Sequence, residues 1–152
     1  MCRWLAYSGT PIRLEELSAA LAGVERLADG AHPEPAVDAA VVRKLASSLG
    51  ERGRSSVDGL IGTFLGHVPD QMRTLSSAAQ GNGYDDVRRE AHALKSNAST
   101  FGADRLADLC RELESAAKAG ALDGQEELVE RIEDELARVT GELERIREEM
   151  RA

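Results

Sequence analysis

Aromatic side chains are scarce in this chain: two Phe, two Tyr and one Trp among 152 residues. Its core must be built from aliphatic groups. The abundance of Ala, Leu, Glu and Arg favours helices over sheets. Cysteine is limited to Cys2 and Cys110, far apart and without CxxC spacing. That gives neither a disulfide framework nor a zinc site, and it suits a reducing cytoplasm. Positive charge is in deficit, with 19 Lys and Arg against 27 Asp and Glu and a formal net charge of -8. A general nucleic-acid binder needs a basic footprint, so that class is excluded, and an anionic membrane surface is an equally poor partner. No apolar run approaches the length of a membrane span. The start, Met1-Cys2-Arg3-Trp4-Leu5, lacks the long apolar core of a signal peptide.

What is present is helical. The segment Ala28-Asp29-Gly30-Ala31-His32-Pro33-Glu34-Pro35 breaks any helix, because Gly and two prolines fall within it. It divides an N-terminal appendage and linker, residues 1–35, from a main domain, residues 36–152. In the appendage Leu14, Leu17, Leu21 and Val24 fit a short amphipathic helix. Cys2 to Tyr7 is apolar enough for a strand but has no visible partner strand, and a loosely attached tail is the plainest reading. In the main domain Val37, Val41, Leu45 and Leu49 support a short first helix ended by Gly50 and Gly53. Ser56 is placed to cap the second helix. That helix runs to about Gln80, with Val57, Leu60, Ile61, Phe64, Leu65, Val68, Met72 and Leu75 inward and a kink expected at Pro69. Gly81-Asn82-Gly83 makes a tight break. A third helix covers about Tyr84 to Phe101, with Gly102 as its left-handed stop. A fourth, Ala103 to about Ala119, turns Leu106, Leu109, Cys110, Leu113 and Ala117 inward. A last helix, about Gln125 to Met150, aligns Leu128, Ile132, Leu136, Val139, Leu143 and Ile146. Short connections between long amphipathic helices force antiparallel neighbours. The predicted fold is all-α: an antiparallel up-down-up-down four-helix bundle with a short extra N-terminal helix. The acidic positions of the last helix, Glu126, Glu127, Glu130, Glu133, Asp134 and Glu135, read as a solvated face.

The third helix carries the most informative residue. At about 100° per residue, Val87, Ala91, Leu94, Ala98 and Phe101 cluster on one face. His92 points almost directly away from them, flanked by Arg88, Arg89, Lys95, Ser96 and Ser99. An exposed imidazole is often only a solvated polar residue. A neutral imidazole is also a good nucleophile towards phosphorus. Basic neighbours disfavour its charged form and attract phosphoryl oxygens. Lys95, one turn on, is the best candidate for that second task, with Arg88 and Arg89 as auxiliaries. Ser96 is small and lets a partner approach the ring.

The run His92-Ala93-Leu94-Lys95-Ser96-Asn97-Ala98-Ser99-Thr100-Phe101-Gly102-Ala103 resembles the signature of histidine-containing phosphotransfer (HPt) domains. Leu109-Cys110-Arg111-Glu112-Leu113-Glu114 downstream and Phe64-Leu65-Gly66-His67-Val68-Pro69 upstream are similar to that family too, and the likeness spans about Asp38 to Met150. The family usually has Gly after the Lys, where this chain has Ser96. The resemblance implies that His92 accepts a phosphoryl group through Nε2 and that Lys95 stabilises it. It also implies that Glu114, otherwise an ordinary surface charge, hydrogen-bonds the ring. The implied partners are receiver domains of response regulators or a hybrid sensor kinase, docked on a mostly apolar surface from the second and third helices. The chain would need no cofactor or metal of its own, the Mg lying in the receiver. It would be a cytoplasmic monomer without kinase activity, since Gly81-Asn82-Gly83 lacks the GxxxxGK pattern of a nucleotide loop.

Residues 1–17 resemble a different family, the start of class II glutamine amidotransferases, in which Cys2 becomes the N-terminal nucleophile. Such enzymes need well over a hundred further residues for the glutamine pocket, and a helical bundle follows here instead. A remnant of such an enzyme is one alternative reading, with Cys2 otherwise a free thiol. A structural bundle without relay activity is another.

Overall fold

The computed structural model describes residues 34–121 and 124–152. The candidate strand at 2–7, the candidate helix through Leu14 and Val24, and Cys2 lie outside these residues. Pro35–Ala152 form one compact unit.

That unit begins with a strap rather than a helix. The backbone N–H groups of Ala36 and Val37 donate to the two carboxylate oxygens of Glu142, 2.9 Å each. The Asp38 N–H donates to the Gly102 carbonyl at 3.1 Å. Asp38 then accepts from the Ala40 N–H at 2.9 Å and caps α1, Ala39–Ser48. The strap corrects the expected inward stripe. Val37 is buried ahead of the helix, Val42 is the buried residue within it, and Leu49 is exposed.

A single 3-10 turn, Gly50–Arg52, leads directly into α2, Gly53–Gln80. Ser56 therefore lies inside the helix and does not cap it. Residue 53 must be glycine, because a Cβ there would stand 1.6 Å from the Ala46 carbonyl oxygen. α2 runs through Pro69 and buries Val57, Ile61, Phe64, Val68, Met72 and Leu75. Leu60 and Leu65 depart from expectation: Leu60 is exposed and Leu65 half-buried.

Asn82 takes a left-handed φ of 56° in the turn to α3, Tyr84–Thr100. α3 ends in a Schellman motif. The Ala103 N–H donates to Ala98 O at 2.9 Å and the Gly102 N–H to Ser99 O at 3.2 Å, with Gly102 at φ 70°. α4, Asp104–Lys118, and α5, Glu126–Arg151, complete the chain. Consecutive helices from α2 to α5 pack on one another, α5 closes the ring against α2, and α1 lies on α2. With such short turns this is the antiparallel four-helix bundle with one extra short helix. No strand occurs among the described residues.

The core is aliphatic, as the shortage of aromatics requires. Ile61, Leu75, Leu94, Leu106, Leu113, Ile132 and Leu143 are fully buried, each worth about 1.5–3 kcal/mol on removal from water. Phe64 and Phe101 meet with ring centroids 5.4 Å apart and join α2 to the end of α3. Asp58 clasps Arg147 and Arg151, both at 2.8 Å, and ties the start of α2 to the end of α5. Most acidic positions of α5 are solvated, but Glu135 is buried, bonded to Arg138 at 2.9 Å and facing Arg105 at 3.5 Å. No described helix is long and apolar enough to cross a membrane.

Candidate functional site

α3 presents its site by periodicity. Val87, Ala91, Leu94 and Ala98 are buried, so the opposite face stands in solvent. The His92 side chain is 61% exposed there. Its Nδ1 lies 3.1 Å from Oε1 of Glu114, which reaches across from α4.

Glu114 is the hub. Its side chain is only 8% exposed, and Lys95 Nζ donates to its Oε2 at 2.5 Å. Lys118 Nζ lies 3.3 Å from Oε1, the oxygen that faces His92. Lys95 above all, then His92 and Lys118, hold this carboxyl down to about 2 against the opposing effect of burial. Glu114 is therefore ionised at neutral pH and can only accept. The hydrogen on the imidazole must then sit on Nδ1, which leaves the Nε2 lone pair of the neutral ring free. A ring so held has one available nucleophilic atom.

The other predicted residues divide. Lys95 is adjacent to the site, but it is only 22% exposed and its charge is committed to Glu114. Lys95, expected to face a phosphoryl group, is held instead by a buried carboxylate, which draws the nearest cation. Arg88 and Arg89 pair with their own helix, Arg88 with Asp85 at 3.6 Å and Arg89 with Asp86 at 2.9 Å and Glu90 at 3.2 Å. Ser96 is exposed, and its Oγ donates to the His92 carbonyl at 3.0 Å. The hydroxyl is thus turned back onto the helix. Ser99 is exposed on the His92 side of α3. Glu114, read from sequence either as a surface charge or as the ring's partner, is the ring's partner.

Apolar area predominates on the surface beside the site. Between α2 and α3 runs a groove of about 540 Å³, lined by Leu60, Phe64, His67, Gln71, Asn97 and Thr100 among others. Apolar and polar side chains both line it. Beneath the site, burial pushes the Cys110 thiol up to about 12, with Lys95 opposing, so it stays protonated and is no nucleophile. Among the described residues no group of His, Cys, Asp and Glu is arranged to hold a metal.

Lys118 was missed from sequence. The signal was there: Glu114 and Lys118 stand four apart, with the acid N-terminal to the base, the favourable order on a helix. It carried weight only once Glu114 was known to be buried.

The family model described as "Hpt domain" matches residues 59–148. The chain is 39% identical over 72 residues to the phosphorelay protein LuxU of Vibrio cholerae, covering 47% of this chain and 64% of that protein. It is 34% identical over 92 residues to LuxU of Vibrio vulnificus, covering 60% and 80%. Among solved structures it is similar to histidine-containing phosphotransfer protein B (HptB) from Pseudomonas aeruginosa PAO1. That match has a TM-score of 0.67 and 30% identity, over 76% of this chain and 96% of the other.

Proposed function

The chain belongs to the Hpt domain family, and on that premise we propose that it relays a phosphoryl group through His92 between receiver domains of a two-component phosphorelay. The observation that carries the assignment of the residue is the solvated imidazole whose Nδ1 is tethered to buried, ionised Glu114.

In this reading a receiver presents a phospho-aspartate, and His92 Nε2 attacks phosphorus in line. The Nε2–P bond forms as the P–O bond to the aspartate breaks, which returns the receiver's carboxylate. The Nδ1 proton stays on the ring, which becomes a phosphoimidazolium facing the Glu114 carboxylate. That pairing stabilises the new positive charge, and a ring that keeps its proton remains a good leaving group for the onward step. The transition state is loose and governed by charge and positioning. The Mg would belong to the receiver, and this chain would act without nucleotide or cofactor of its own. It would be a monomer in the cytoplasm, engaging receivers or a hybrid sensor kinase across a small transient interface. Arg88, Arg89, Ser96 and Ser99 would form the rim of that interface.

The test is transfer from phosphorylated receivers encoded nearby. Label should appear on this protein, acid-labile and base-stable, and His92→Gln should abolish it. Label that persists in the His92→Gln protein would remove the assignment. Family membership favours the relay over the amidotransferase remnant and over an idle bundle.

A further inference from the structure

Two lysines surround one carboxylate at this site, and only one of them is needed there. Lys95 Nζ sits 2.5 Å from Glu114 Oε2 and is 22% exposed. Lys118 Nζ sits 3.3 Å from Glu114 Oε1 and is 58% exposed. The first is a short bond in a partly dry setting, and breaking it would leave a buried charge poorly compensated. The second is longer, solvated and carried by a flexible four-carbon stem. Releasing it costs little, because Glu114 keeps Lys95. Lys118 also touches the same oxygen as His92 Nδ1, so its ammonium already lies one carboxylate oxygen away from the ring.

The charge balance points the same way. Glu114 contributes one negative charge and the two lysines contribute two positive ones. The empty site therefore holds one surplus positive charge beside a nucleophile that is to receive an anionic group. No other described cation contacts this cluster: Arg88 and Arg89 are engaged with Asp85, Asp86 and Glu90.

We propose that Lys118 is the cation that turns to the phosphoryl oxygens on His92 Nε2, while Lys95 stays on Glu114. The division assigns to Lys118 the role that family likeness gives to Lys95, and it makes Lys95 a positioning residue. Phosphorylation then rearranges one exposed side chain and leaves the buried pair intact. The inference rests on His92 being the acceptor.

The experiment measures the equilibrium of phosphoryl transfer with one phosphorylated receiver for the wild type, Lys118→Met, Lys118→Arg and His92→Gln. NMR spectra of the lysine side chains are recorded before and after loading with phosphoramidate. Lys118→Met should shift the equilibrium about threefold towards the receiver, the size that an exposed charge pair carries. Lys118→Arg should restore it, and the Lys118 Cε resonance should move on phosphorylation while that of Lys95 stays. An unchanged equilibrium in Lys118→Met, or movement of Lys95 in place of Lys118, would overturn the proposal and leave His92 as acceptor untouched. Wild-type protein that takes no label, or label surviving in His92→Gln, would instead remove the acceptor itself and the proposal with it.

Discussion

His92 is useful because of what its neighbour cannot do. An ionised carboxylate offers no proton, so the ring must supply one from Nδ1, and Nε2 is left for chemistry. Glu114→Gln tests that statement. The amide oxygen can still accept from Nδ1, but the negative charge that would stabilise a phosphoimidazolium is gone. Transfer should slow by about tenfold, roughly 1.4 kcal/mol of transition-state stabilisation, with the label still on His92. An unchanged rate would show that the carboxylate's charge plays no part. Lys95→Ala should cost about 1–2 kcal/mol of folding stability, since it strips a buried acid of its shortest bond. The sequence alone assigned Lys95 to the phosphoryl group and gave it no part in holding the fold. Helical periodicity shows which side of a helix faces water, and it placed His92 correctly. It does not show what the next helix brings to that side. Glu114 entered through family likeness, and Lys118 became visible only with the burial of Glu114.

At the level of helices, the long periodic segments were legible and the junctions were not. α3, α4 and α5 bury the residues their patterns name, and Gly102 takes the left-handed conformation expected of it. The first helix was misjudged because long-range bonds to Glu142 and Gly102 hold residues 36–38 outside the helix, and no local pattern encodes them. Ser56 resembled a cap, but the 3-10 turn at Gly50–Arg52 starts α2 earlier. Gly102 joins two of these features. It ends the histidine-bearing helix and receives the strap, and a Cβ there would stand 2.9 Å from Asp38 Cβ and 3.1 Å from Val41 Cβ. Gly102→Ala should destabilise by about 1–3 kcal/mol through its positive φ alone, with more from that crowding. Urea denaturation should show it, and a loss below about 0.5 kcal/mol would mean that the strap gives way freely.

The whole bundle should feel acid through the same carboxylate. Glu114 falls from an ordinary value of 4.5 to about 2 in the folded protein. Its stabilising contribution is therefore complete above about pH 4.5 and is lost as pH falls from there towards 2. Asp58, held down to about 2 by hydrogen bonds from Arg147 and Arg151, acts in the same direction. Thermal stability should be flat from pH 7 to 5.5 and decline below 4.5, less steeply in Glu114→Gln; an equally steep decline in that variant would exonerate the site. The bundle keeps one ring solvated on a helix with one nitrogen tied down. That arrangement is tested by locating the phosphoryl group itself. Protein labelled with nitrogen-15 in histidine is loaded with phosphoramidate, and the phosphorus–nitrogen coupling is read by NMR. The coupling should fall on Nε2 of His92, with Nδ1 still protonated. Phosphorus on Nδ1, or on His67 in place of His92, would contradict the site described here.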